Sequence, residues 1–261
     1  MLTLAISIVN YNSRDDLDRC LASLAMYPPA VDYKVWVIDN ASAEPIADLA
    51  KKYKDVTFVF NTKNVGFTVA NNAVIRRIES RYHIVANPDI VLTEGALDGL
   101  VAYCDAHPEV GVIAPRLTYA DGSLQYSCRT FPTLTTFLTR GFFEKTMTGP
   151  MRRYLMADWD HASVRDVDWI LGCFLFMRRS AFDAIGGFDE GFFIYYEDID
   201  LCYRMKRAGW RVVYYPLATI THAYKRASAE GFFTKLKYIH TKSAMRFFMK
   251  HLFRRGWRTF V

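Results

Sequence analysis

The segment LAISIVNYNSRDDLDRCLASLAMYPPAVDYKVWVIDNAS, Leu4 to Ser42, decides the fold. It opens on a continuous apolar run, LAISIV (Leu4 to Val9), that breaks at the polar turn Asn10-Tyr11-Asn12. Ser13 is then positioned to N-cap a helix, with Asp15 and Asp16 in the first turn and Leu17, Leu21 and Leu24 at helical spacing. A second apolar run, VWVID (Val35 to Asp39), closes the unit. A strand apolar on both faces, a helix and another such strand make a βαβ unit, the building block of a parallel sheet covered on both sides.

The same alternation continues outward. A helical stretch near Pro45 to Tyr53 precedes VTFVF (Val56 to Phe60), and a helix from about Gly66 to Glu79 follows it. HIVANPD (His83 to Asp89) is the fourth run, followed by a helix through Ala96 to Asp105. Sheets of this kind bind ligands where the strands deliver their C-terminal ends. The polar residues stand at those ends: Asn10 and Asn12, Asp39 and Asn40, Asn61 and Asn64, Asn87 and Asp89.

Beyond Thr118 the pattern changes. Thr118 to Ser127, around the turn Ala120-Asp121-Gly122-Ser123, reads as a hairpin. Arg129 to about Arg165 mixes aromatics, threonines and basic residues without period, and long irregular segments are often functional. WILGCFLFMRR (Trp169 to Arg179) reads as one strand, GGFDE as a turn, Glu197 to Ala208 as a helix, and RVVYYP and ATITH as strands.

Composition bounds the function. A chain of 261 residues, 51% hydrophobic and without low-complexity segments, buries one main core. The start, MLTLAISIVNYN, reads as a buried strand and not a signal peptide, and no apolar run reaches the length of a membrane span. Five scattered cysteines (Cys20, Cys104, Cys128, Cys173, Cys202) fit neither a disulfide framework nor a zinc site, and point to a reducing, cytoplasmic setting. The net charge of +6 belongs to the tail: eight basic residues and no acid follow Glu230, and taking those eight from 33 leaves 25 against 27 acids. The tail, FFTKLKYIHTKSAMRFFMKHLFRRGW, interleaves apolar and basic residues as interfacial helices do, and equally as a packed helix with a solvated basic face does. No nucleic-acid module accompanies it.

Chemistry concentrates in a few places. Asn87-Pro88-Asp89 sets a carboxylate past a parallel strand, where a hard divalent ion takes one or two carboxylates and completes its shell with water and phosphate oxygens; the same tripeptide also simply makes a turn. Glu197-Asp198-Ile199-Asp200 follows the aromatic run FFIYY. It reads as an acidic helix start, or as a general base whose pKa is raised by apolar walls. Asp200 faces away from Asp198 on a helix. His222 matters only where the fold brings it to Asp89, and Lys225, Arg226 and Ser228 after it suit phosphate oxygens. Gly66, at a helix start, allows close approach of a nucleotide to backbone N–H groups. There is no GxGxxG and no Walker A motif.

Taken together, the ordered motifs IVNYN, VIDNAS, NxGF with Asn72, NPD, VDWxxGCFxxxRR, GGFDExFFxYxEDxDLCxR, AGW, YxP and His222 with Ser228 resemble family 2 glycosyltransferases of GT-A fold, in particular their rhamnosyltransferase-like branch. The resemblance runs from Leu4 to Ser228 and is weakest over 129–165. It implies an α/β fold with a mostly parallel central sheet. A catalytic domain over 1–228 would divide into a nucleotide-sugar half, 1–115, and an acceptor half, 116–228, with a basic amphipathic tail over 229–261. It implies that Asn10 and Tyr11 line the nucleoside pocket, Asp39 bonds the base, and Asn64, Gly66, Asn72 and Asn87 lie along the donor. Asp89 and His222 would hold Mg2+ or Mn2+, with Asn87 standing where the family usually carries the first acid of Asp-x-Asp. Asp198 would be the base, aided by Glu197. The implied reaction is inverting transfer of L-rhamnose from dTDP-L-rhamnose to a polyprenyl-diphosphate-linked saccharide in bacterial surface polysaccharide synthesis, with the enzyme cytoplasmic and lying on the inner membrane face through its tail. Another UDP, GDP or dTDP sugar, or a non-catalytic nucleotide-sugar or polysaccharide-binding subunit, are the alternatives; a nucleotidyltransferase would need a Gly-rich basic loop that NYNSRDD is not.

Overall fold

A computed structural model describes residues 1–133, 136–137, 149–223 and 235–252. Strands and helices alternate first: β1 (Leu2–Asn10), α1 (Arg14–Met26), β2 (Tyr33–Asp39), α2 (Ala47–Lys52), β3 (Val56–Phe60), α3 (Phe67–Ile75), β4 (Ser80–Ala86), β5 (Ile90–Leu92) and α4 (Ala96–Ala106). There follow β6 (Val110–Thr118), β7 (Leu124–Gln125), β8 (Cys128–Arg129), α5 (Gly149–Tyr154), β9 (Arg165–Asp166), β10 (Trp169–Ile170) and β11 (Phe174–Arg178). The last elements are α6 (Arg179–Ala184), α7 (Glu197–Arg207), β12 (Arg211–His222) and α8 (Lys235–Leu252).

The main sheet has the order β3-β2-β1-β4-β11-β6-β12-β5. β1, β2, β3 and β4 pair in parallel, as do β6 and β12, while β11 inserts antiparallel between β4 and β6. Both faces are covered, which is why the strands read as unbroken apolar runs. Successive residues of β4 and β11 go to opposite sides. Ile84, Phe174 and Phe176 join Leu17 and Leu21 of α1 and Leu97 and Leu100 of α4 in one cluster. Val85, Leu175 and Met177 join Phe182 of α6, Cys202 and Met205 of α7 and Phe247 of α8 in the other. Each fully buried Phe or Leu contributes about 1.5–3 kcal/mol of burial, so the two faces together hold the sheet.

Several expectations are corrected. WILGCFLFMRR is two strands, β10 and β11, separated at Leu171-Gly172-Cys173, because Gly172 and Asn87 take the local backbone elsewhere, as described below. The helix expected over Gly66 to Glu79 ends at Ile75, and Ser13 turns its hydroxyl back to the Tyr11 carbonyl (3.3 Å) with no side-chain cap of α1. RVVYYP and ATITH are a single strand, β12, with a register shift between Tyr215 and Thr219. The expected hairpin forms, Thr118 opposite Leu124. Among the described residues no helix is long and apolar enough to cross a membrane.

Candidate active site

The C-terminal ends of β1, β2 and β3 are sewn together by short polar side chains. Asp39 accepts hydrogen bonds from Asn10 Nδ2 (2.8 Å) and from the Ser42 hydroxyl (2.6 Å) and backbone N–H (3.1 Å). Asn61 donates to Asn40 Oδ1 (2.9 Å), and Asn40 donates to the Gly66 carbonyl (3.3 Å). Asn10 is fully buried but its Oδ1 has no protein partner, whereas Tyr11 is half exposed. Asn64 Oδ1 accepts from Gly66 N–H (2.9 Å), shaping the turn into α3.

Gly66 has φ +87°, and a Cβ there would meet the Phe193 ring at 2.7 Å and its carbonyl at 2.8 Å, so only glycine fits. Phe67 N–H donates to Phe193 O (2.8 Å) and Thr68 Oγ1 to Phe192 O (2.6 Å). The start of α3 is thereby latched to the aromatic loop that leads into α7. Asn72, expected along the donor, is instead a strut. Fully buried, it bonds Phe188 through both amide functions (2.9 and 3.1 Å) and Glu190 through Nδ2 (2.9 Å).

β4 ends at Ala86, and Asn87-Pro88-Asp89 carries the chain to β5. β5 lies antiparallel to the end of β12 with Ile90 opposite His222, and Ala223 N–H donates to Asp89 O (2.9 Å). That pairing brings residues 133 apart in sequence together: His222 Nε2 is 3.3 Å from Asp89 Oδ2. Gln125 Oε1, at 2.8 Å from His222 Nδ1, fixes the ring; as the oxygen accepts, Nδ1 carries the proton and Nε2 faces Asp89. Burial opposes charge on His222, but Cys173 and Asp89 beside it raise its pKa above the ordinary value. Asp89 Oδ1 is buried without a partner. One orphaned carboxylate oxygen, a second oxygen beside an oriented imidazole and a half-buried Asn87 amide suit a hard divalent ion that keeps most of its shell for water and phosphate. No cluster of three His, Cys, Asp or Glu that could hold a metal occurs among the described residues. Lys225, Arg226 and Ser228 lie outside the described residues.

The second pole is Asp198, in the first turn of α7. Its entry is strained: Tyr195 and Tyr196 have φ of 69° and 67°. Asp198 Oδ2 accepts from Gly172 N–H (2.9 Å) and Oδ1 from Ile199 N–H (2.8 Å). Gly172 gives room, since a Cβ there would stand 3.2 Å from Asp198 Cβ. Burial raises the pKa of Asp198, while the two N–H groups and the Arg129 charge pull it back. Glu197 is pushed well above the ordinary value by burial and by Asp198, and its Oε2 is orphaned. Both carboxyls are raised, Glu197 the further because Asp198 lies beside it, so Asp198 gives up its proton first. Asp200 points away, as expected, and is fully buried against Arg204, Lys250 and His251.

The two poles are neighbours through two consecutive residues, Gly172 and Cys173. Asn87 N–H donates to Cys173 O (2.8 Å), while Gly172 N–H holds Asp198. The split of WILGCFLFMRR at Gly172 is therefore what joins the Asp89–His222 pair to Asp198. Sequence reading assigned no role to Gln125, Arg129 or Gly172, the last appearing only as a fixed position of VDWxxGCFxxxRR. The Gly-Cys interruption of an apolar run was the available signal for Gly172. For Gln125 there was none, because its role rests on a pairing across 97 residues.

The tail reading is now specific for 235–252. α8 packs Ala244, Phe247 and Phe248 inward, Ser243 donates to Ile194 O (2.9 Å), and His240 lies edge-on to Tyr195 and Tyr196. Arg246 and Lys250 pair with Asp189 of the GGFDE turn. The remainder of 229–261 lies outside the described residues.

Comparison with known proteins gives a consistent answer. The family model "Glycosyltransferase like family 2" matches residues 3–238. An N-acetylglucosaminyl-diphospho-decaprenol L-rhamnosyltransferase of Mycobacterium tuberculosis is 33% identical over 84% of this chain and 75% of its own. The rhamnosyltransferase WbbL of Escherichia coli is 27% identical over 93% and 91%. Among solved structures, GalNAc-T7 with UDP, GalNAc and Mn2+ superimposes with a TM-score of 0.72 at 16% identity, over 95% of this chain and 48% of its own. The mannosyltransferase PcManGT of Pyrobaculum calidifontis with GDP-Man and Mn2+ gives 0.65 at 16%, over 98% and 65%. This chain thus spans about half the length of the former, and both likenesses concern the fold.

Proposed function

The chain belongs to glycosyltransferase family 2, and from that premise we propose that it transfers L-rhamnose from dTDP-L-rhamnose, with inversion, to a saccharide on a polyprenyl diphosphate. The relative at 33% identity is named an L-rhamnosyltransferase acting on N-acetylglucosaminyl-diphospho-decaprenol, which supports the sugar and the acceptor class. The observation that carries the reading is the junction at Gly172-Cys173, which sets the Asp89–His222 pair beside the buried carboxylate of Asp198.

In this proposal Asn10, Tyr11 and Asp39 receive the nucleoside, while Asn64, Gly66 and Asn87 line the path of the diphosphate and sugar. Asp89 and His222 hold Mg2+ or Mn2+, which when bound neutralises charge on the departing diphosphate. Gln125 keeps His222 in the tautomer that presents Nε2. Asp198, aligned by two backbone N–H groups, accepts the proton of the acceptor hydroxyl as the oxygen attacks the anomeric carbon opposite the leaving group. One base suffices for a single displacement, and protonated Glu197 is free to donate to an acceptor hydroxyl. The catalytic unit is 1–228, its halves 1–115 and 116–228 serving donor and acceptor, and the 229–261 tail faces the membrane that holds the acceptor.

Calorimetric titration with a panel of nucleotide sugars, with and without divalent ion, tests the assignment. Binding of dTDP-L-rhamnose that requires the ion, weakened at least about tenfold by Asp89→Ala and retained in Asp198→Asn, supports it. Tighter binding of a UDP or GDP sugar overturns the rhamnosyl donor, and absence of binding to every donor overturns catalysis in favour of a carbohydrate-binding subunit.

A further inference from the structure

The segment from Gln125 to Arg129 is extended, and its contacts sort its residues onto two faces. Tyr126 and Cys128 both turn to His161, by a ring contact at 5.3 Å and a Sγ···Nδ1 approach of 3.4 Å. Gln125, Ser127 and Arg129 occupy the alternate positions. Gln125 ends that row at His222, in the metal pole. Arg129 ends it beside Asp198, in the base pole, close enough for its charge to act on that carboxylate. The row is fixed to the junction between the poles: Arg129 pairs with Trp169, Ser127 O accepts from Leu171 N–H (2.8 Å), and the next residue is Gly172.

Arg129 is built as a binding group without anything to bind. Its guanidinium lies 5.3 Å from the Trp169 ring centroid and 5.5 Å from that of Tyr154, beside a pair of rings that contact each other at 6.3 Å. Trp169 is in turn locked by its Nε1–H to the Thr130 carbonyl (2.8 Å). Yet Arg129 Nε is buried with no acceptor, and the guanidinium forms no ion pair or hydrogen bond among the described residues. Ser127 Oγ, one step along the row, is likewise buried and unpartnered. A buried guanidinium N–H left without an acceptor is costly, unless a ligand completes it. Its planar fork fits phosphate oxygens in pairs.

We infer that Arg129 is an acceptor-side phosphate site: set against the Trp169–Tyr154 ring pair on the strand that pairs with Trp169, it grips a phosphate oxygen of the acceptor's diphosphate and so sets which hydroxyl reaches Asp198. The inference rests on the acceptor class proposed above. The donor's own diphosphate belongs to the other end of the row, at Asp89 and His222, so the two anions do not compete.

The test compares two soluble acceptors without vesicles, a short-chain alkyl diphospho-saccharide and the same saccharide as a neutral alkyl glycoside. Their KM values are measured with the full chain, Arg129→Gln and Arg129→Lys, above the pH at which Asp198 loses its proton. The unaltered enzyme prefers the diphosphate. Arg129→Gln shrinks that preference roughly 10- to 100-fold, as for loss of a charge-assisted hydrogen bond, and Arg129→Lys by less. Donor affinity in each variant reports that the fold survives. A preference that persists in Arg129→Gln, or a fall in kcat shared equally by both acceptors, overturns the inference. Absence of any preference in the unaltered enzyme strikes the proposed acceptor class itself, and the Arg129 site falls with it.

Discussion

Asp198 is a carboxylate made basic by its surroundings yet kept charged by two N–H groups and Arg129, and that balance has a kinetic signature. Because burial raises its pKa, the acidic limb of kcat/KM lies above the ordinary value of 3.8, with activity rising as pH rises and the proton leaves. A pH–rate profile without a limb above that value removes Asp198 as base. The position of the carboxylate is set by Gly172, where an added Cβ would press on Asp198 at 3.2 Å. Gly172→Ala is therefore expected to lower kcat about 10- to 100-fold while calorimetry finds donor affinity unchanged, since displacement of a reacting group costs rate and not donor binding. At the other pole, Gln125→Leu removes the acceptor that fixes the His222 tautomer. Mn2+ affinity followed by electron paramagnetic resonance should fall roughly 10- to 100-fold, and an unchanged affinity would relieve Gln125 of that role. The placement of Asp89, Asp198 and His222 was legible in the sequence because turn, helix-start and strand-end positions mark them as candidates. Gln125 and Arg129 were not, because an extended row acquires its meaning only from what two distant strands place beside it.

At the scale of elements, the parallel strands were legible because burial on both faces leaves short unbroken apolar runs, each bounded by polar turns and followed by a helical pattern. The sequence misled where an apolar run conceals a break, as at Gly172, and where side chains of one helix complete another. Asp200 is the case in point. Fully buried in α7, it accepts from Arg204 Nε, Lys250 Nζ and His251 Nε2, each at 2.7 Å, so α8 is bolted to the helix that carries the base. Burial opposes its charge, but His251, Arg204 and Lys250 prevail and hold its pKa down to about 2, against 3.8 unfolded. A depressed carboxylate stabilises the fold above its unfolded pKa, and the contribution is lost as pH falls from 3.8 towards 2. Asp200→Asn removes the carboxylate shared by Arg204, Lys250 and His251 and leaves Lys250 with Asp189 alone, at a cost of about 1–3 kcal/mol. Urea unfolding measures that loss, and proteolysis after Lys or Arg residues of α8 should accelerate as the helix leaves its seat. A variant as stable as the parent would mean that Phe247 and its neighbours dock α8 unaided.

On the scale of the whole molecule, packing and membrane contact turn out to be compatible uses of one helix. α8 commits Ala244, Phe247 and Phe248 to the core beside Tyr196, which leaves Tyr238, Met245 and Met249 70%, 56% and 59% exposed. With Lys242, these residues recur at helical spacing on a single outward face, and Lys242 forms no ion pair among the described residues. The body of the chain is nearly neutral and the positive charge collects beyond Glu230, so attraction to an anionic leaflet, about 1 kcal/mol per basic residue near the surface, acts on this end alone. Sedimentation with anionic vesicles should therefore retain the parent protein at low salt and release it as salt rises. Met245→Glu with Met249→Glu adds two charges and removes the apolar anchors, and should weaken vesicle binding about tenfold or more, with transfer to a soluble short-chain acceptor continuing. Equal vesicle binding by parent and variant would assign the face to solvent. Weaker binding by the variant would mean that the helix packed beside the helix of Asp198 also meets the membrane surface on which the proposed acceptor is carried, so that the proposed base is brought to the acceptor by the element that holds it.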